Sequence, residues 1–416
     1  MSPSGDPPHR RLFATSERKS LPIEGAGEIG EVTGYNLAVL VGNGLSIAFN
    51  PDLNLRVITE EMTTRISAES SDGSDVVAAM KEIAERALPS GASSDSDFEV
   101  LVGAFGAEGR TLGYLQRLAQ LVSPQDEDLK DSIQRVADFA EEVRDSGISH
   151  VLQVISSRSY GDWAGAERLH KLVTQIVSTF KGRVVFGNLN YDTLLLSALI
   201  ATSQDMLADM ASGWQKVSIV DDDGTTKLWP ALRTTASDWP NDRRVRLLHL
   251  HGSLTYWGNR ERTTFAKLDA EYLRLPDQWE AVRNNATALR PAIVLAKQND
   301  KSIQVLEYPF SLAYELFGTG LKDADHWLIV GYSFKDTPVN DLLRGEFAER
   351  ETKPRVLVVT FENELTLLEV ERAFGWNAED EASDSWLSVY RGGADGAEDS
   401  NDWTEFIEGV LPTVPE

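Results

Sequence analysis

The sequence predicts an α/β protein with a mostly parallel sheet and a mainly helical insertion. Short apolar runs rich in Val, Ile and Leu are followed within a few residues by helical patterns, which is typical of parallel strands covered by helices on both faces. Between residues 68 and 180, apolar residues instead recur at helical spacing. The 416 residues are enough for one large domain and a smaller one.

Each predicted strand is a short apolar run bounded by glycine or polar residues. The runs are NLAVLVGNGLS (36–46), RVVFGN (183–188), RVRLLHLHG (244–252), PAIVLAK (291–297), HWLIVGYS (326–333) and RVLVVT (355–360). Two sets of apolar residues at helical spacing predict helices around Leu129 to Val143 and Leu169 to Phe180. Segments rich in Ser, Asp and Gly at 67–75 and 89–97 are predicted loops.

These patterns divide the chain into four predicted regions. Residues 1–33 form a flexible N-terminal arm, because they are rich in Pro, Ser and Arg. Residues 34–67 and 181–375 form the domain that contains the sheet. Residues 68–180 form the helical insertion, and residues 376–416 form an acidic C-terminal extension.

Composition excludes several classes of function. The formal charge of −25, from 65 acidic and 40 basic residues, argues against direct nucleic-acid binding. No apolar run reaches the ~18 residues that a membrane span needs. The chain has no cysteine, which rules out disulfides, thiolate nucleophiles and zinc sites built on sulfur. A cytoplasmic location is the expectation.

Ligands of doubly wound sheets bind at the carboxyl ends of the strands, so the residues after each run are candidate site residues. Gly42 and Gly44 follow the first strand, where glycine lets the backbone turn and approach a phosphate. Asn190 and Asp192 follow the second strand. Either residue could simply cap the next helix, or the Asn190 amide could contact a sugar hydroxyl or an attacking water.

His249 and His251 could be two metal ligands, one catalytic base with a neighbour, or two core residues. Alternation along a strand would aim both at one face. A metal site needs a third ligand, and the sequence shows no recognised spacing for one. His251 precedes Gly252 at the strand end, where an imidazole with a pKa near ~6.5 can act as a general base. His249 lies deeper in the apolar run and is predicted to be a hydrogen-bonded core residue.

Gly331 and Ser333 follow the strand that begins at His326, where a hydroxyl and backbone amides could hold a phosphate or a ribose. The alternative is a capped helix start, with Asp336 or Thr337 as the cap before Pro338.

Taken in chain order, the motifs GNGLS, LNYD, LHGS and GYSFKD resemble those of the bacterial SIR2-like domain, the defence-associated relative of the sirtuins. The resemblance implies a Rossmann-like sheet that binds NAD+ as substrate. It implies a catalytic role for Asn190 near the nicotinamide ribose, a supporting role for Asp192, and the base role for His251. It implies nucleotide contacts from Gly42, Asn43, Gly44 and Ser46 at the pyrophosphate, from Gly331 and Ser333 at the adenosine half, and, from the looser match in VVTFENE, from Glu362.

The chain also departs from the sirtuin pattern. Deacetylases of that family carry four zinc cysteines and a GIPDFR-like stretch, whereas this chain has no cysteine and carries IAFNPDLNLRV after its glycine loop. We therefore expect no metal and no deacetylation. The resemblance implies cleavage of the nicotinamide glycosidic bond, with nicotinamide and ADP-ribose as products.

The resemblance further implies an NAD+ hydrolase that depletes cellular NAD+ in antiphage defence by abortive infection. Such an activity requires a gate, and homo-oligomer assembly or a partner, such as a HerA-type ATPase or an Argonaute-like protein, is expected to provide it. Two alternatives stay open from the sequence. The chain could be a regulatory subunit that binds NAD+ or ADP-ribose without turnover, or an ADP-ribosyl transferase.

Overall fold

The computed structural model describes residues 34–69, 71–87, 98–119, 121, 127–160, 163–220, 224–295, 298–377 and 382–410. The predicted N-terminal arm (1–33) and the predicted loop at 89–97 lie outside the described residues. The described part of the chain contains the following strands: β1 (Leu37–Val41), β2 (Val184–Asn188), β3 (Leu207–Asp209), β4 (Lys216–Val220), β5 (Thr226–Pro230), β6 (Val245–His249), β7 (Gly252–Asn259), β8 (Phe265–Lys267), β9 (Leu289–Ile293), β10 (His326–Val330), β11 (Arg355–Val359) and β12 (Leu387–Tyr390).

The α-helices of the described residues cover both faces of the sheet, and six of them lie between β1 and β2 in the sequence. They are α1 (Asn43–Phe49), α2 (Leu55–Glu69), α3 (Gly73–Ala87), α4 (Phe98–Ala119), α5 (Glu127–Arg158), α6 (Ala166–Thr179), α7 (Leu194–Ser203), α8 (Pro276–Arg283), α9 (Gln298–Gln304), α10 (Phe310–Asp323), α11 (Thr337–Ala348), α12 (Leu367–Phe374) and α13 (Asn401–Phe406).

Seven strands form one parallel sheet in the order β12-β11-β10-β1-β2-β6-β3. This confirms the predicted fold class, a Rossmann-like, mostly parallel sheet with flanking helices. The chain passes from β1 to β2 on one side and later returns to place β10 on the other side of β1. The order therefore reverses between β1 and β10, which is where open α/β sheets form their ligand crevice.

Successive residues of the central strands enter two different hydrophobic clusters, as a sheet covered on both faces requires. In β1, Leu37, Val39 and Val41 belong to one cluster, while Ala38 and Leu40 belong to the other. Helices α2 to α7 contribute to the first cluster, and helices α10 to α12 contribute to the second. This burial on both faces explains why the strands read as continuous apolar runs.

One predicted strand lies elsewhere. The run at 291–297 was expected in the parallel sheet, but β9 pairs antiparallel with β7 in a separate three-stranded sheet, β8-β7-β9. An apolar run alone does not distinguish the two arrangements, because both bury the strand. The hairpin of β4 and β5 forms a further two-stranded sheet.

The chain after residue 376, predicted as an acidic extension, contributes more than a charged surface. β12 pairs with β11 as an edge strand of the central sheet, and α13 buries Trp403 and Phe406. Its acidic segments conceal this role, because strand and helix need only a few apolar residues each.

Helices occupy the predicted insertion, but the helical region begins earlier, at Leu55 in α2. The predicted loop at 67–75 mostly lies within α2 and α3, with a short break between them. Helix α6 packs into the same cluster as the sheet through Leu169, Leu172 and Val173. The domain boundaries stay a prediction. Within the described residues, no helix combines the length and apolar character needed to cross a membrane.

Candidate active site

A cavity of about 1690 Å³ lies at the carboxyl ends of the central strands. It is larger than the ~300–1,000 Å³ of most small-molecule sites, so a dinucleotide has room in it. Residues that follow β1, β2, β6, β10 and β11 line it, as does part of the helical region. Of the site residues predicted from the sequence, Gly42, Asn43, Gly44, Asn190, Asp192, His251, Gly331 and Ser333 line this cavity.

The loops after β1 and β10 form a close backbone contact at the point where the strand order reverses. The Gly42 amide donates to the Val330 carbonyl (3.0 Å), and the Gly44 amide donates to the Gly331 carbonyl (2.9 Å). A Cβ atom on Gly44 would lie 2.6 Å from the Gly331 Cα, and one on Gly331 would lie 2.3 Å from the Leu45 nitrogen. Gly331 also has a φ of 62°. Glycine is required here because the backbone of the other loop occupies the space where a Cβ atom would lie.

Asn190 is anchored by two donated hydrogen bonds. Its Nδ2 donates to the Gly42 carbonyl (3.0 Å) and to Ser46 Oγ (2.8 Å), and Ser46 Oγ donates to Asp192 Oδ2 (2.6 Å). Ser46 does not line the cavity but lies buried behind it. Because Asn190 Nδ2 donates both of these hydrogen bonds to the protein, Asn190 Oδ1 remains as an acceptor for a ligand.

Asp192 contacts both the start of α7 and Ser46. Its Oδ1 accepts from the Leu194 amide (2.9 Å), and its Oδ2 accepts from Ser46. Burial raises the pKa of the Asp192 carboxyl, although the hydrogen bonds from Ser46 and Leu194 oppose the rise. The N-cap residue of α7 is Thr193, so Asp192 is not the helix cap that the sequence suggested, and Ser46 links it to Asn190.

The two histidines have different surroundings. β6 ends at His249, so the strand alternation that would place both on one face does not extend to His251. His249 Nδ1 accepts from Asn188 Nδ2 (3.2 Å), and its ring packs edge to face on Tyr256. Its Nε2 has no hydrogen-bond partner among the described residues. Burial lowers the pKa of His249 to about 3. The predicted core position is therefore confirmed, whereas the predicted hydrogen bonding is found only at Nδ1.

His251 is buried but lines the cavity. Its Nε2 lies 3.3 Å from the Tyr314 hydroxyl and 3.6 Å from Asp336 Oδ2. Burial and the nearby Lys301 ammonium lower the pKa of His251 to about 4, against the opposing charges of Asp336 and Glu99. The expectation of a pKa near the ordinary value of histidine was wrong, because the sequence does not show that the ring is desolvated.

Charged residues that were not predicted as site residues also line the cavity. Lys301 Nζ lies 2.7 Å from Glu99 Oε2 and 3.3 Å from Asp336 Oδ2. Asp336 also caps α11 by accepting from the Val339 amide (3.2 Å), which confirms its predicted capping role. Asp336 lies in the GYSFKD motif, so the sequence could have indicated it as a site residue. Glu99 and Lys301 lie in segments without any motif.

The end of the cavity near β11 carries side chains of both charges. Lys335, Arg344 and Arg372 line it together with Glu364 and Glu369. Glu362 is exposed and is not among the described residues that line the cavity. Its neighbour Phe361 occupies the wall instead. In the part of the chain that the structure describes, no group of three or more His, Asp or Glu residues could hold a metal ion.

Comparison with known proteins finds a similarity over the segment that carries the larger part of this site. Residues 184–380 match the family model described as the SIR2-like domain. This range includes Asn190, Asp192, His251, Gly331 and Ser333 but not the glycine loop after β1. Among solved structures, the chain matches one described as "Structural Basis for the Mechanism and Regulation of Sir2 Enzymes", with 14% identity, 58% of this chain and 67% of that chain covered, and a TM-score of 0.30. A comparison with curated proteins found no match. Residues 184–380 are therefore similar to the SIR2-like domain, the family that the sequence motifs resemble.

Proposed function

We propose that the protein is an NAD+ hydrolase that cleaves the bond between nicotinamide and ribose, releasing nicotinamide and ADP-ribose. The observation that carries the proposal is that Asn190 and His251, which are 61 residues apart, line one cavity. This cavity lies where the strand order reverses, between β1 and β10. The match of residues 184–380 to the SIR2-like domain supports NAD+ as the substrate.

Binding would use the two glycine loops. Gly42, Gly44 and Gly331 let the two loop backbones pack together at the cavity wall, and a pyrophosphate would lie against that backbone. Ser333 offers a hydroxyl to the adenosine half, and Lys335 and Arg344 line the same wall. Cationic side chains there would offset the phosphate charge of a ligand that a protein of net charge −25 otherwise repels.

In the proposed reaction, a water oxygen forms a bond to the anomeric carbon while the bond from that carbon to the nicotinamide nitrogen breaks. The bonding electron pair leaves with nicotinamide, which becomes neutral. Asn190 Oδ1 accepts a hydrogen bond from the ribose or the water and so fixes the line of attack. His251, neutral in the folded protein because its pKa is lowered, receives the proton that the water loses.

The test is to incubate the purified chain with NAD+ and identify the products by mass. Nicotinamide and free ADP-ribose in equal amounts support hydrolysis. Asn190→Ala and His251→Ala are each expected to lose turnover while keeping the circular dichroism spectrum of the wild type. ADP-ribose bound to protein would instead indicate a transferase. NAD+ binding without turnover under all conditions would indicate a regulatory module, and both results contradict the proposal.

We further propose that this activity depletes NAD+ in the cytoplasm during antiphage defence and is gated by assembly, either with copies of the chain or with a HerA-type ATPase or an Argonaute-like partner. Exposed apolar side chains on α4 and α5, including Tyr114, Leu118, Val136 and Phe139, support an assembly surface there. We expect specific activity to rise with protein concentration, in parallel with the mass measured by sedimentation. Full activity in a dilute monomer would contradict gating by self-assembly, and full activity without any partner would contradict gating by a partner.

A further inference from the structure

Four titratable side chains from distant parts of the chain meet in one wall of the cavity. Glu99 is on α4, Lys301 is on α9, Asp336 precedes α11 and His251 follows β6. Lys301 Nζ lies 2.7 Å from Glu99 Oε2 and 3.3 Å from Asp336 Oδ2, and the same Asp336 oxygen lies 3.6 Å from His251 Nε2. Glu99, Lys301, Asp336 and His251 all line the cavity. The helical region before β2 therefore reaches the imidazole through Lys301.

The cluster is held in place from several sides. The Tyr191 hydroxyl lies 2.8 Å from Glu99 Oε1, and the Val339 amide donates to the second oxygen of Asp336. The Tyr332 hydroxyl donates to the Asp336 carbonyl (3.0 Å). From α10, the Tyr314 hydroxyl lies 3.3 Å from His251 Nε2. Together these groups restrict how Lys301 and Asp336 can move relative to the imidazole.

We propose that Glu99 and Lys301 are positioning residues for the cleavage of NAD+: Glu99 holds the Lys301 ammonium against Asp336, and Lys301 thereby holds Asp336 in place beside His251. This inference rests on the proposed function, since it assigns these residues a part in that reaction.

The physical reason lies in the charge of Asp336. A carboxylate 3.6 Å from a buried imidazole stabilises the imidazolium form, which cannot accept a proton. The Lys301 ammonium offsets that carboxylate, and together with burial it holds the pKa of His251 near 4. Glu99 in turn stabilises the buried ammonium, and Glu99 and Asp336 raise the pKa of Lys301 despite its burial.

The first experiment compares the pH dependence of kcat in the wild type and in Lys301→Met. Without the ammonium, Asp336 and Glu99 face the imidazole unopposed, so His251 becomes protonated at higher pH. We expect the acid limb of the profile to move up by at least about one pH unit. The loss of kcat should be at least about twofold at pH 5 and should shrink toward neutral pH. A Lys301→Met profile that superimposes on the wild type would overturn the inference.

Two further variants separate charge from packing. Lys301→Arg retains the positive charge and should keep the acid limb of the wild type. Glu99→Gln weakens the hold of Lys301 against Asp336 while the ammonium stays in the protein, so it should lower kcat. A kcat in Glu99→Gln equal to that of the wild type would contradict the positioning role of Glu99. The matched control is Lys267→Met, which removes a lysine paired with buried Asp209 outside the cavity-lining residues. It should lower the unfolding temperature and leave the profile unchanged.

A measurement independent of turnover separates this inference from the proposed function. Titration of the His251 ring by NMR, assigned with His251→Gln, gives its pKa in the folded wild type and in Lys301→Met. An upward shift in the variant supports the electrostatic influence of Lys301 on His251 even if the wild type does not cleave NAD+, in which case only the proposed function fails. Equal values in both proteins would refute the inference whatever the activity.

Discussion

The Asn190 side-chain amide donates to Ser46 Oγ at 2.8 Å, and this contact joins the loop after β2 to the helix that follows β1. Ser46 passes the interaction on by donating to Asp192 Oδ2 at 2.6 Å. The serine therefore orients Asn190 and supplies a hydrogen bond to the buried Asp192 carboxylate. Ser46 was predicted to contact the pyrophosphate, but it is buried outside the cavity lining and accepts from Asn190 instead.

Ser46→Ala should lower kcat more than it raises KM. Asn190 would retain only its bond to the Gly42 carbonyl, so its Oδ1 would lose a fixed direction, and we expect kcat to fall by about ten- to a hundredfold. The buried Asp192 would also lose a donor, which costs about 1–3 kcal/mol of stability. Steady-state kinetics and urea unfolding measure the two effects. Ser149→Ala is the control, because Ser149 is a buried serine that donates to the Trp279 carbonyl outside the cavity lining. It should lower stability alone.

Gly331→Ala and Gly213→Ala form a matched pair. Both glycines have positive φ, 62° and 66°, so alanine at either position introduces about 1–2 kcal/mol of backbone strain. At Gly213 a Cβ would meet no atom within 4 Å, whereas at Gly331 it would lie 2.3 Å from the Leu45 nitrogen. We expect Gly331→Ala to cost at least about 2 kcal/mol more and to weaken NAD+ binding. Similar losses in both variants, with NAD+ binding intact, would show that the two loops do not need this close contact. Calorimetric titration and denaturant unfolding provide the measurements.

His249 and His251 should respond in opposite ways to substitution. His249→Ala leaves a void in the core beside Tyr256 and should cost about 2–4 kcal/mol of stability, while most of kcat remains at temperatures where the variant is folded. His251→Gln should lose turnover with a smaller change in stability, because it lies at the cavity wall. The reverse pattern in thermal unfolding and NAD+ turnover would exchange the roles of the two residues.

The stability of the fold should decrease as the pH falls from about 6.5 to about 4. Burial lowers the pKa of His150, lowers that of His249 to about 3, and lowers those of His251 and His326 to about 4. The unfolded chain then binds more protons than the folded chain in this window, so the stability present above the unfolded pKa is lost on acidification. For His251 alone the shift corresponds to about 3 kcal/mol.

Urea unfolding at pH 8 and at pH 5 measures this effect. His251→Gln should reduce the difference in unfolding free energy between the two pH values, because one buried imidazole is removed. A pH dependence equal to that of the wild type would show that His251 is not desolvated in the folded protein.

Much of the fold was predictable because its signals are local. The apolar runs of β1, β2, β6, β10 and β11 and the helical spacing in α5 and α6 identify these elements without tertiary information. β9 was placed in the wrong sheet, since strand pairing depends on contacts between residues far apart in the chain. β12 was missed for a different reason, because its few buried residues lie close to acidic segments.

The sequence by itself determined the residue types at the strand ends: glycines where two backbones meet, an amide and a carboxylate after β2, and an imidazole beside Gly252. These depend on local backbone geometry and on the chemistry of single side chains. Only the tertiary structure decided that Ser46 contacts Asn190, that Glu99 and Lys301 come together with Asp336 beside His251, and that the His251 imidazole has a low pKa. Hydrogen-bond direction, desolvation and the sum of nearby charges depend on segments that meet only in the folded chain.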